Sequence, residues 1–163
     1  MAFRSQQRGI LSAGMHAPAF ELCDAAGERH SLDALLKKAP VLLAFFKVSC
    51  PVCQLTFPFL ERISRNNALQ VVGISQDDVA ATRKFNDRFG VDFLTLLDEA
   101  REGYAVSNAF GISSVPTLFV IETDGAISSS FAGFSKRELN EIGRRVEVRP
   151  FHDDEYVPEF KAG

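Results

Sequence analysis

Tryptophan is missing from this 163-residue chain, and cysteine and histidine occur only three times each. Three cysteines cannot form a structural disulfide framework. Cys23, His16, His30 and His152 stand at no spacing that would complete a four-ligand zinc site around the other two cysteines. The longest apolar run, from Ala39 to Phe46 with Pro40 inside it, is far too short to span a bilayer. The first fifteen residues carry Arg4 and Arg8 but no hydrophobic segment of a secretory signal, so a cytoplasmic location is expected. A formal net charge of −3, without any dense Lys/Arg block, argues against general nucleic-acid binding. No repeat and no linker divides the chain, and its length suits one domain with a substantial core.

What is abundant is phenylalanine, with 15 residues, so an aromatic-rich core is expected, drawing on Phe45, Phe57, Phe59, Phe85, Phe89, Phe110, Phe119 and Phe131. Residues 1–14 read as a polar lead-in. Ala19–Asp24 and Glu28–Leu32 alternate across Ala25-Ala26-Gly27 as a hairpin, and Ser31 is placed to cap a short helix. Pro40–Phe46 reads as a buried strand, followed by an amphipathic helix to about residue 66 whose apolar stripe is Leu55, Phe59, Leu60 and Ile63. Leu69–Ser75 is a second buried strand, and Asp77 or Asp78 caps a helix ending near Phe89-Gly90. Phe93–Leu97 reads as a strand and Glu102–Phe110 as a helix. Thr117–Glu122 and Ala126–Ala132 flank a Thr123-Asp124-Gly125 turn, and a last helix covers about 136–146. The order predicts an α/β fold with a mixed central sheet covered by helices on both faces. Residues 148–163 form an acidic, proline-containing tail.

The chemistry concentrates in Cys50-Pro51-Val52-Cys53, where the first long strand gives way to its helix. Pro51 suits the first helical turn, where its missing N–H has no partner to lose. Two cysteines three apart across a helix start share one face. The helix N-terminus sets unpaired N–H groups and the positive dipole end beside the first sulfur. Those are the ingredients of a reversible dithiol/disulfide centre, with two inert core cysteines or half a zinc site as the alternatives.

Several segments, in the right order, resemble the thioredoxin-like superfamily. Phe45–Cys53 looks like its strand-to-active-site segment, and Pro58 matches the proline inside its active-site helix. Gly111–Thr117 is similar to the segment with its cis-proline, and Gly133-Phe134-Ser135-Lys136 with Leu139 is similar to the glycine turn into its last helix. The resemblance covers about residues 15–147. The N-terminal hairpin and the extra helix and strand between about Asp78 and Leu97 point to the redoxin branch, which includes thiol–disulfide reductases and the alkyl hydroperoxide reductase/thiol-specific antioxidant group.

The resemblance implies that Cys50 is the nucleophile, that Cys53 resolves the mixed disulfide, and that the exchange uses no cofactor or metal beyond the pair itself. It implies disulfide-containing protein substrates, a separate reductase or dithiol donor, and a cis Pro116 that holds the Val115 backbone where an extended substrate can pair. Phe46 and Phe134 are expected to border that groove, with Lys47, Pro51 and Val52 tuning the pair. Ala44 departs from thioredoxin, which keeps an aspartate there as proton acceptor for the resolving thiol. Ser49 replaces the usual tryptophan and leaves the sulfur more open. A peroxiredoxin-like peroxidase with Cys53 as the peroxidatic cysteine is the main alternative, with an antioxidant role. Against it, Cys50 stands where such enzymes have threonine, and Ser113–Leu118 supplies no arginine. A non-enzymatic redox-sensing or metal-binding module is the third reading. Cys23 reads as a small apolar side chain, and the His152–Glu155 segment as solvated.

Overall fold

The computed structural model describes residues 9–163. The expected lead-in of residues 1–14 therefore falls largely outside the described residues. The strand at the centre, β3 (Val41–Phe46), is buried at all six positions, as a near-continuous apolar run requires. It is flanked by β4 (Gln70–Ser75) in parallel and by β6 (Thr117–Ile121) in antiparallel. β5 (Thr95–Leu97) and β7 (Ile127–Ala132) complete the sheet in the order β5-β4-β3-β6-β7. The first hairpin, β1 (Glu21–Cys23) and β2 (Arg29–Ser31), forms its own two-stranded sheet.

Alternation along β3 divides the core. Leu42, Ala44 and Phe46 face one cluster, with α2 (Pro51–Ser64), α3 (Val79–Phe89) and α5 (Lys136–Arg145) contributing to it. Val41, Leu43 and Phe45 face the other, which takes in α1 (Leu32–Leu36) and α4 (Ala105–Ala109). Both are aromatic: Phe46 stacks on Phe57 at 4.3 Å between centroids and on Phe85 at 4.9 Å, while Phe110 meets Phe45 at 5.2 Å and Phe119 at 5.1 Å on the opposite face. Edge and tilted arrangements of this kind add to plain area burial. Gly73, beside Ala44 in the ladder, leaves the space that the Phe46 ring fills: a Cβ there would stand 3.3 Å from its Cε1.

Several elements differ in extent from the expectations. The helix expected over Glu102–Phe110 is broken into a 3-10 turn, Ala100–Glu102, and α4. Gly103 and Tyr104 between them adopt left-handed backbone (φ 70° and 51°), which no continuous helix accommodates. β5 begins only at Thr95. Ser31 and Asp78 cap α1 and α3, accepting from Ala34 N–H at 3.1 Å and Ala81 N–H at 2.8 Å, so Asp77 is left for another role.

The acidic segment after α5 packs onto the domain. Phe151 and Val157 join the α2-side core, Phe151 lying 4.8 Å from Phe59 between ring centroids. Arg62 on α2 donates to the Pro150 carbonyl at 2.8 Å and to Glu155 at 2.6 Å. The chain then forms β9 (Phe160–Lys161), antiparallel to β8 (Phe134–Ser135).

Candidate active site

Cys50 is the N-cap of α2, in extended backbone, with Pro51 opening the helix. That position turns its side chain back over the first turn, and Cys53 N–H donates to Cys50 Sγ at 3.2 Å. Cys50 Sγ in turn donates to the Val115 carbonyl at 3.4 Å. Val115 precedes Pro116 across a cis peptide bond, and Thr117 Oγ1 closes the loop onto the Ser114 carbonyl at 2.8 Å. The helix start and the proline loop thus meet at one sulfur.

The two thiols have different surroundings. Cys50 is half-buried, whereas Cys53 is fully buried against the core that includes Ala44. Burial pushes the Cys53 thiol well above its ordinary range. The Cys50 sulfur and the Asp77 carboxylate act in the same direction, opposed by the Lys47 backbone. No guanidinium is among the groups acting on it. A buried, protonated Cys53 is suited to wait as a resolving thiol and poorly suited to attack a peroxide, since thiolate is the nucleophile.

The turn between β3 and α2 is held at a single peptide. Val48 N–H donates to Asp77 Oδ2 at 2.8 Å, and Gln54 Nε2 donates to the Val48 carbonyl at 3.0 Å. Cys50 N–H closes the turn onto the Lys47 carbonyl at 3.2 Å. Asp77 and Gln54 are the site residues that sequence reasoning missed. The Asp77-Asp78 doublet was the available signal, because one helix needs one cap.

The remaining expected residues divide. Lys47 meets the site through its backbone, its side chain being exposed, and Pro51 is exposed while Val52 is half-buried with its carbonyl accepting from Thr56 Oγ1 at 2.7 Å. Phe46 and Phe134 do not border a groove: both are fully buried, Phe46 beneath Phe57 and Phe85, Phe134 beside Phe59 and Phe151. The inward register of β3 and the covering segment after α5 account for this. Cys23 lies in β1 opposite Arg29. Among the described residues, two groups of acidic and histidine side chains come within ligating distance, Asp24–Glu28–His30 and His152–Asp154–Glu155, and neither contains a cysteine. No described helix is long and apolar enough to cross a membrane.

Comparison with known proteins agrees with this geometry. A family model described as Redoxin matches residues 12–145. Thiol-disulfide oxidoreductase ResA of Geobacillus kaustophilus is 26% identical over 149 residues, covering 88% of this chain and 82% of its own. The thioredoxin domain of the thiol-disulfide oxidoreductase BVU-2223 from Bacteroides vulgatus superposes with a TM-score of 0.74 at 21% identity, over 83% of this chain and 99% of that one. Peroxidoxin BcpB from Mycobacterium tuberculosis superposes with a TM-score of 0.69 at 26% identity, over 83% of this chain and 98% of that one.

Proposed function

Since the chain belongs to the Redoxin family, we propose that it is a thiol–disulfide oxidoreductase acting on disulfide-containing proteins through Cys50 and Cys53. The observation that carries this reading is the pairing of a half-buried Cys50 sulfur at a helix N-cap with a fully buried Cys53 one turn behind it, whose burial favours the thiol form. Cys50, as thiolate, attacks one sulfur of the substrate disulfide; the substrate S–S bond breaks and its second sulfur leaves and takes a proton. Cys53 then loses its proton and attacks Cys50 Sγ, forming the Cys50–Cys53 disulfide and releasing the first substrate sulfur as a thiol. The substrate gains two electrons and the pair loses two, which a dithiol donor or a reductase restores. No nucleotide or metal takes part in either exchange. The cytoplasmic location belongs to the same reading and is checked by cell fractionation.

Turnover of insulin disulfides in the presence of dithiothreitol tests the reading. The wild-type chain accelerates it, Cys50→Ser abolishes the acceleration, and Cys53→Ser accumulates mixed disulfides on Cys50. Wild-type rates no higher than those of Cys50→Ser would remove the proposal. Mixed disulfides collecting on Cys53 in Cys50→Ser, with fast peroxide consumption, would favour the peroxidase instead.

A further inference from the structure

The Val115 carbonyl that accepts from Cys50 is met from another direction by the protein's own chain. A Cβ added at Gly163 would run into the Val115 carbonyl oxygen, would lie 2.7 Å from its carbon and would come within 3.2 Å of Pro116 N. Two residues earlier, the Lys161 carbonyl packs so closely on Gly133 that a Cβ there would collide with it, and Gly133 N–H itself donates to the Pro116 carbonyl at 2.8 Å. The antiparallel pairing of Phe160–Lys161 with Phe134–Ser135, extended by Lys136 N–H to the Glu159 carbonyl at 3.0 Å, aims the segment along that edge.

We infer that residues 160–163 occupy the strand-binding edge beside Val115 and Pro116 as an internal stand-in for an extended substrate, and that a protein disulfide must displace them to reach Cys50. The consequence rests on the thiol–disulfide reading; the placement does not. Displacement costs little because the attachment is uneven. Phe151 and Val157 are buried and Arg62 holds the chain at Pro150 and Glu155, whereas Phe160 is 58% exposed and residues 161–163 are exposed. A two-residue strand with exposed side chains can peel away while its buried anchor stays. The occupant also describes the partner. Because only a residue without a Cβ fits against the Val115 carbonyl here, the edge suits an extended, flexible segment with a small residue at that point. Disulfides small enough to approach Cys50 without strand pairing do not need the edge.

The wild-type chain and one full-chain variant test this. In the reduced wild-type chain, NMR nuclear Overhauser contacts between the Gly163 Hα protons and protons of Val115 and Pro116 read the placement without adding a Cβ that would itself push the segment away. Absence of those contacts overturns the placement. Gly163→Val drives the segment off the carbonyl, so insulin reduction rises several-fold while reduction of the small aromatic disulfide DTNB stays unchanged. Equal insulin rates in Gly163→Val and wild type overturn the gating, and parallel increases on both disulfides overturn the strand-edge competition. A chain that reduces neither disulfide fails the thiol–disulfide reading, and the nuclear Overhauser contacts of Gly163 still decide the placement.

Discussion

The two walls around Cys50 are built differently. One wall is the Val115–Pro116–Thr117 loop with the first turn of α2: Pro116 and Thr117 are buried, β6 continues from them into the centre of the sheet, and Val48 is clamped from both sides. The other is the segment at 160–163, exposed throughout and held by one short ladder. The first wall presents reacting sulfurs, for which small displacements are costly. The second rests on a surface that a partner strand can use, so it has to be removable. Stability is concentrated where geometry must hold and withheld where chain must move.

The strongest way to break this contrast is to compare Phe160, in the second wall, with Phe151, in the buried anchor that precedes it. Phe151 is buried between Phe59 and Phe134. Phe151→Ala is expected to cost about 3–5 kcal/mol in unfolding free energy, as for other buried aromatic truncations. Phe160, more than half exposed, changes stability by roughly 0.5 kcal/mol or less on truncation to alanine. Urea unfolding of both variants measures the difference; similar losses would mean that residues 160–163 are as firmly seated as their anchor.

Asp77 gives the next largest effect, now in the rigid wall. Asp77→Ala leaves the Val48 N–H without its acceptor and is expected to cost about 1–3 kcal/mol. Asp77→Asn keeps an oxygen at that position, so it restores most of the stability. The carboxylate also raises the Cys53 thiol, and both substitutions remove its charge. Both are therefore expected to lower the Cys53 pKa, read by thiol alkylation against pH in a Cys50→Ser background. An Asn variant as unstable as the Ala variant would show that charge, not the hydrogen bond, holds the turn.

How much of this was legible beforehand follows the same division. β3, α2 and the cysteine pair were readable because local pattern and local chemistry coincide there: an apolar run, a proline at the first helical position and two cysteines on one face. Phe46 and Phe134 were misplaced because adjacency in sequence to a motif says nothing about which face of a strand is covered, or by what. Asp77 meets Val48 across 29 positions, and Gly163 meets Val115 across a still longer separation. Contacts of that range depend on sheet order, which no local spacing carries. The acidic, proline-containing composition of residues 148–163 left a loose or a docked tail equally open, and the burial of Phe151 and Val157 in the α2-side core is what docks it.

The smallest effect sharpens the contrast from its buried side, at Cys53. Its folded-state pKa lies above that of an unfolded cysteine, about 8.5. The folded chain therefore binds this proton more tightly than the unfolded chain does. The resulting stability is fully present below about pH 8.5 and is lost as pH rises towards the folded value, at no more than ~1.4 kcal/mol per pH unit. In the reduced protein, unfolding free energy should decline between about pH 8.5 and about pH 10. Cys53→Ala starts lower because it leaves a cavity in the α2-side core, and its alkaline decline is shallower. Urea midpoints at several pH values under a reducing agent separate the two components. Parallel curves for wild type and Cys53→Ala would mean that Cys53 loses its proton as readily in the folded chain as in the unfolded one, and the buried wall of the site would then be more open to water than its packing implies.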